Sequence, residues 1–228
     1  MRILMFGPNG SGKGTQSSRL VRRFGLAHVE SGGIFRDHFK NGTELGRQAK
    51  VFVDQGKLVP DEITIPMILD RLAQDDCRAG WILDGFPRNP SQAIALIRGL
   101  ESAETPLDAV IIIEVSHATA KERLLGRRNC PQGHANNMAI PAIRPRDEGG
   151  VLRCWKCGTE VTARKDDVDE AAIDVRLDIY FDEKEGTLAS VAEVCGWAAE
   201  HPGVRVVRVD GEGAIEEIQS KILAELEA

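Results

Sequence analysis

Apolar residues in this chain fall in short runs, separated by longer stretches where they recur every three or four positions. Ile3-Leu-Met-Phe6, Trp81-Ile-Leu83 and Ala109 to Val115 are continuous runs of strand length, as expected of strands buried on both faces. Leu26 to Val29 is a shorter one, and Val204-Arg-Val-Val-Arg-Val209 alternates. Helical spacing is found over Gln16–Phe24, Asp61 to about Gln74, Gln92–Leu100, Thr119–Leu125 and Ala214–Leu226. It also covers Ile34 to about Asp54, read as two short helices around Asn41-Gly42, and Val168 to about Glu200, with a break near Gly186. Strands alternating with helices predict an α/β fold, a five-stranded parallel sheet covered by helices on both faces. Ligands on such sheets sit outside the carboxyl ends of the strands. Three segments follow strands there: Gly7–Thr15, Glu30–Gly33 and Asp84–Arg88.

The first of these, Gly-Pro-Asn-Gly-Ser-Gly-Lys-Gly-Thr, matches the G-x-x-x-x-G-K pattern of a phosphate-binding loop at Gly7, Gly12 and Lys13. Glycines let successive backbone N–H groups face one anion, and the following helix adds its positive end. Gly10, Ser11, Gly12 and Gly14 supply that cradle, Lys13 a charge for the β/γ-phosphates, and Thr15 a hydroxyl for magnesium. The residue after the lysine is Gly14, so the hydroxyl arrives one place later than usual. A ligand-free glycine turn is the plain alternative, and the strand before and helix after the loop count against it.

The chain has 228 residues, 42% hydrophobic and 28% charged, as in ordinary globular proteins with one sizeable core. No apolar run approaches the ~18 residues of a membrane span. The N-terminal apolar run enters the phosphate loop directly, unlike a signal peptide, so a cytoplasmic protein is expected. A net charge of −6 argues against a general nucleic-acid binder. The charge is uneven, however: Lys121–Lys165 carries ten Lys/Arg against four acids, a local +6, which suggests one polyanion site.

GPNGSGKGTQ, SGGIFR (Ser31 to Arg36), GKLVPDE (Gly56 to Glu62), DGFPR (Asp84 to Arg88) with Gln92, GRR (Gly126 to Arg128) and RKDD (Arg164 to Asp167) together resemble adenylate kinases, in order and spacing, over nearly the whole chain. The chain looks like the bacterial long form, with a large lid. Two positions depart from the pattern: Gly33 stands where the family usually has an aspartate, and Glu30 where it has a small residue.

The resemblance implies a core of residues 1–30, 60–126 and 168–228, an AMP-binding insert over 31–59, and a lid over 127–167. It implies reversible phosphoryl transfer from Mg-ATP to AMP, giving two ADP, with lid opening limiting turnover. AMP phosphate is largely dianionic near neutrality, so no general base is needed and the difficulty is electrostatic. Arg36 and Arg88 would hold the AMP phosphate. Arg123, Arg127, Arg164 and Arg176 would neutralise the ATP phosphates and the transferring group, the last two reaching the AMP side as well. Arg128 reads better as a solvated residue. Asp84 would join Thr15 in the magnesium shell, against the plainer reading of a helix N-cap. Ser31, the Lys57-Leu58-Val59 backbone, Gly85 and Gln92 would recognise AMP, Gln92 through both ends of its amide. Phe86-Pro87 is a candidate cis peptide. ATP adenine is expected against main chain near Gly213.

Of the five cysteines, Cys77 and Cys195 sit singly in helical surroundings and read as inert core thiols. Cys130-x3-His134 and Cys154-x2-Cys157, in turn-like sequence, form the two knuckles of a tetrahedral Cys3His structural site. A redox Cys-x-x-Cys would open a helix after a strand, which this pair does not. Zinc is the default ion by ligand set, with cobalt(II) and ferrous iron compatible.

Two other functions compete with this reading. One is a kinase for UMP or CMP, against which Gln92 argues. The other is a nucleotide-gated nucleic-acid binder using the basic segment, disfavoured by the acidic remainder and the lack of interleaved aromatics. The expected partners are therefore the small molecules ATP, AMP and ADP, with neither nucleic acid nor membrane, and the chain is expected to be a monomer.

Overall fold

The computed structural model describes residues 1–54, 59–164 and 167–227. Its strands are β1 (Arg2–Phe6), β2 (Ala27–Glu30), β3 (Trp81–Asp84), β4 (Ala109–Glu114), β5 (Arg127–Asn129), β6 (Asn136–Asn137), β7 (Arg146–Glu148), β8 (Val151–Arg153), β9 (Thr162–Ala163) and β10 (Arg205–Asp210). Its helices are α1 (Lys13–Phe24), α2 (Ser31–Lys40), α3 (Glu44–Val53), α4 (Asp61–Leu72), α5 (Pro90–Ser102), α6 (His117–Gly126), α7 (Glu170–Phe181), α8 (Thr187–Ala199) and α9 (Ile215–Glu227).

The expected sheet forms, all parallel, in the order β10-β4-β1-β3-β2. Because side chains alternate along a strand, β1 feeds two cores. Ile3 and Met5 pack with Ile82, Ile111, Val207 and Leu20 of α1 and Ile222 of α9. Leu4 and Phe6 pack on the other face with Leu83, Ile112, Met67 of α4, Leu96 of α5 and Val194 of α8. Each such side chain, fully withdrawn from water, stabilises the fold by roughly 1.5–3 kcal/mol. A strand buried on both faces thus holds the phosphate loop rigidly from below.

Helix ends follow their local chemistry. The carbonyl-type oxygen of Asn89 accepts from Gln92 N at 2.8 Å to cap α5, and Asp169 accepts from Ala171 N at 2.9 Å to cap α7. The two-helix reading of residues 34–54 holds. No element boundary shifts further from its expected place than the start of the first helix. Helix α1 starts at Lys13 rather than Gln16, because the loop's last turn is already helical, with Thr15 N and Gln16 N both donating to Gly12 O. The break expected near Gly186 is present, with α7 ending at Phe181 and α8 starting at Thr187: Asp182 turns its carboxylate onto the N–H groups of Lys184 (2.8 Å) and Glu185 (3.1 Å) and ends the ladder.

The segment after α6 builds a small β-unit, a three-stranded sheet β6-β5-β9 beside the hairpin β7-β8. Among the described residues, no helix is long and apolar enough to cross a membrane.

Candidate active site and metal centre

The three segments singled out in sequence lie side by side, since β1, β3 and β2 are neighbours and each ends at the same edge. After β1 the chain turns at Gly7, whose φ is +149° and where a Cβ would stand 2.6 Å from Ser11 Oγ and 2.7 Å from Ile113 O. Among the described residues, the N–H groups of Gly10, Gly12, Lys13 and Gly14 meet no protein acceptor. Ser11 Oγ is buried without a partner. Orphaned donors converging on one turn fit an anion. The Lys13 ammonium meanwhile donates to the loop's own carbonyls, Gly7 O at 2.6 Å and Pro8 O at 3.1 Å. Lys13 keeps some accessible surface, yet protein crowds its charge. Burial pushes its pKa below the ordinary 10.5, with Asp84 opposing and Arg88 and Arg127 adding to the fall.

Asp84 ends β3 with its residue 7% exposed, and no protein donor reaches its carboxylate among the described residues. Burial raises its pKa, and Lys13 pulls it back. A buried carboxylate beside a lysine, with no hydrogen bond of its own, fits a hydrated cation. It is not an N-cap; that place in α5 belongs to Asn89.

Gly85 follows with φ +84°, and Phe86-Pro87 is cis. Gly85 O accepts from Ser31 Oγ and from Arg88 Nε, both at 2.9 Å. A Cβ on Gly85 would stand 2.6 Å from Ser31 Oγ. Gly85→Ala is therefore expected to destabilise the fold by at least about 1–2 kcal/mol from the left-handed backbone alone, read as a lowered urea midpoint at unchanged slope.

Arg88 reaches solvent through the open cleft, yet protein surrounds it enough that burial lowers its pKa against the pull of Asp84; the guanidinium stays charged. Its own N–H donates to Gln92 Oε1 at 2.8 Å, and Gln92 Nε2 donates to Asp61 Oδ1 at 2.7 Å. Each end of the buried Gln92 amide thus makes one bond within the protein, which leaves a second N–H and a second oxygen lone pair for a base.

Lys13, Gly85, Phe86, Pro87, Arg88 and Arg176 line one open cleft, together with Tyr180 and Thr187. Thr187 Oγ1 donates to Arg88 O at 3.3 Å. Arg176 and Arg127 meet at the buried Asp167, at 3.1 and 2.6 Å. Arg164 lies near enough, with Arg176, to lower the pKa of Arg127, whose largest shift comes from burial and is opposed by Asp167. Arg123 donates to Gly211 O at 2.8 Å and shares a second hollow with Ser11, Gly12, Thr15 and Gly213, walled by Ile140, Ile143, Ile215 and Ile218. Arg36 stands apart at the rim, paired with Glu30 at 2.9 Å. Arg128 turns away, donating to Leu125 O and Arg127 O. Val59 O lies 3.4 Å from Thr64 Oγ1. Lys57 and Leu58, with Gly56, fall outside the described residues, as do Lys165 and Asp166 of RKDD.

In the small β-unit, the ligand atoms of Cys130, His134, Cys154 and Cys157 all lie within 4.8 Å of one another. Cys130 Sγ is 3.5 Å from Cys157 Sγ, and His134 Nδ1 is 3.8 Å from both Cys130 Sγ and Cys154 Sγ. A tetrahedron with metal–sulfur bonds of ~2.3 Å has edges of ~3.8 Å, so the donor set already has the spacing of a four-coordinate site. Hydrogen bonds from Thr159 bring the Cys157 thiol down to about 6, which favours the thiolate a metal needs. Asn136 supports the cluster, donating to Cys154 Sγ at 3.3 Å and to His134 O at 2.9 Å. Trp155 Nε1 clamps across it to Ala135 O at 2.7 Å. Cys154-x-x-Cys157 opens no helix, and all five cysteines are free.

The sequence reading had no place for Asp61, Thr187 or Asn136, nor for the apolar walls Ile140 and Ile143. Asp61 alone had a signal, its place in Gly56–Glu62; the others act through contacts that only the fold creates.

Comparison with known proteins agrees with this geometry. A family model described as adenylate kinase matches residues 5–192. A protein named adenylate kinase from Nitratidesulfovibrio vulgaris strain Hildenborough is 49% identical over 99% of this chain and all of its own length. Adenylate kinases of Desulfosudis oleivorans (48%) and Desulforapulum autotrophicum (46%) match over the same shares. With a phosphate loop, a buried carboxylate and converging arginines at one sheet edge, and relatives matching end to end, the chain belongs to the adenylate kinase family.

Proposed function

We infer that the cleft at the carboxyl edge of the sheet carries out the family's reaction, reversible phosphoryl transfer from Mg-ATP to AMP giving two ADP. The observation that carries this reading is the meeting of Lys13 and Arg88 in one cleft at the end of a loop with orphaned N–H donors, with the donor-free Asp84 near enough to favour the charge on both. Two polyanions must approach in line there, and preorganised charge lowers that barrier without help from a base.

In this reading Gly10, Ser11, Gly12, Gly14 and Lys13 hold the ATP phosphates, and Lys13 leaves the Gly7 and Pro8 carbonyls to do so. Asp84 and Thr15 would hold magnesium, which when bound neutralises the β- and γ-oxygens. Arg88, aimed by Gly85 O and by its N–H bond to Gln92, takes the AMP phosphate with Arg36. Arg123, Arg127, Arg164 and Arg176 neutralise the transferring group, Arg127 and Arg176 exchanging Asp167 for phosphate oxygens. The isoleucine-walled hollow beside Gly213 suits ATP adenine. Ser31, Gln92, Gly85, Phe86, Pro87 and the chain at Lys57–Val59 suit AMP. The division into a core (1–30, 60–126, 168–228), an AMP-binding insert (31–59) and a closing lid (127–167) is supported by the separate β-unit after α6.

The Cys130, His134, Cys154 and Cys157 cluster would hold one structural ion, zinc first by donor set, with cobalt(II) or ferrous iron compatible. Free thiols suit a reducing cytoplasm, and scattered single apolar residues at the surface suit a monomer.

The test is transfer from Mg-ATP to AMP, UMP, CMP and GMP, followed as ADP. Strong preference for AMP is expected; equal use of a pyrimidine nucleotide would refute the reading of Gln92, and no transfer at all would refute the reaction. A pH profile adds a second check. Lys13 must be charged to act, and its pKa is lowered in the fold, so activity is lost as pH rises through a value below 10.5. Bound phosphates push that pKa back up, so the alkaline limb of kcat/KM for ATP should lie below that of kcat. Limbs that coincide would count against Lys13 as the group.

A further inference from the structure

Glu30 ends β2 at the active edge, and no step above uses it. The parallel register sets it directly opposite Asp84 on β3. Its Oε2 accepts from Arg36 Nη2 at 2.9 Å, with 53% and 64% of the two side chains exposed. A pair so exposed is weak and readily exchanged. Toward the cleft, Glu30 favours the charge on Lys13 and disfavours that on Asp84. The carboxylate thus stands between the rim arginine and the buried Asp84–Lys13 pair. Gly33 lies beside this pair, where a Cβ would make ordinary contact, 3.8 Å from Glu30 Oε2 and 3.7 Å from Arg36 Nη2.

We propose that Glu30 is a positioning carboxylate that holds Arg36 while the AMP site is empty and turns to the hydrated magnesium ion beside Asp84 once AMP phosphate takes Arg36. This rests on the reading of Arg36 as an AMP-phosphate ligand and of Asp84 as part of the magnesium shell. A phosphate dianion with three acceptor oxygens competes well against one carboxylate for a forked guanidinium. Released, Glu30 would face Asp84 as a second negative charge, a repulsion that a divalent cation relieves. AMP and magnesium then favour each other's binding, and by linkage the effect is mutual.

Glu30→Gln keeps the shape and removes the charge. AMP binding, followed by calorimetry without magnesium or ATP, is expected to tighten about 2–5-fold as the hold on Arg36 goes. The free magnesium needed for half-maximal turnover should rise several-fold. A double variant, Glu30→Ser with Gly33→Asp, returns the carboxylate one helical turn along, where the added Cβ makes only ordinary contacts. It should bring the magnesium requirement back to within about twofold of the parent. Arg36→Ala separates the levels of the argument. If it leaves AMP affinity unchanged, the reading of Arg36 itself fails. If it weakens AMP while Glu30→Gln leaves either AMP affinity or the magnesium requirement unchanged, the exchange proposed for Glu30 is overturned, as it is if the double variant fails to restore the magnesium response.

Discussion

Lys13→Met is expected to lower kcat/KM for Mg-ATP by about 10³-fold while leaving the sheet folded, the scale seen when one preorganised donor is removed from a water-poor site. Lys13 is the first residue of α1, and its ammonium rests on the loop carbonyls Gly7 O and Pro8 O, which an incoming phosphate would replace. Methionine keeps the length and apolar stem, so the loss isolates the charge. It also removes the neighbour that pulls down the raised pKa of Asp84. The sign is fixed: a carboxyl with a raised folded pKa weakens the fold when ionised, and the penalty disappears as pH falls through that pKa. The variant should therefore lose more stability at pH 8 than at pH 5. Steady-state kinetics in both directions, with urea melts at the two pH values, check both halves. Activity within tenfold of the parent would remove Lys13 from the mechanism.

Cys154→Ser is expected to take bound metal from one ion per chain to none and to melt the β-unit of residues 127–163 early, with the parallel sheet intact. Cys154 is the buried member of the cluster, 0% exposed, and Asn136 donates to its sulfur. The unit around it has strands of only two or three residues. Such a unit buries little apolar surface of its own, and structural zinc contributes roughly 10–16 kcal/mol to comparable peptides. Metal analysis and two-probe melting separate the outcomes, with far-ultraviolet dichroism for the core and, for the unit, the fluorescence difference from a Trp155→Phe control, since Trp81 and Trp197 also emit. Trp155 is the natural reporter, since its ring nitrogen spans the cluster to Ala135. Stoichiometric metal retained in the variant would refute the ligand set.

What could be read from the sequence divides along a physical line. Three core strands were legible as continuous apolar runs, Ala109–Glu114 most plainly, and the edge strand β10 through its alternation. The phosphate loop and the metal knuckles were legible because their chemistry needs fixed residues at fixed spacing. The strands of the small β-unit were not: Arg127–Asn129, Asn136–Asn137 and Arg146–Glu148 are polar and carry no period. The split of α7 from α8 was legible through Gly186, but the end of α7 was not, because it depends on the Asp182 side chain turning onto the backbone ahead of it. The engagement of Gln92 by Asp61, and of Arg127 and Arg176 by Asp167, joins residues distant in sequence, which no local pattern records.

The strand order has a consequence for how the chain is made. Strand β4 pairs with β1 on one side and β10 on the other, yet β10 begins at Arg205, 90 residues after β4 ends at Glu114. At ribosomal speeds of ~5–20 residues per second, the edge of Ala-Val-Ile-Ile-Ile waits roughly 5–20 s for its partner. An unpaired, isoleucine-rich edge is a template for the wrong neighbour. The nascent chain is therefore vulnerable from the making of β4 until β10 emerges, and β10, with α9 packed on it, ends the exposure.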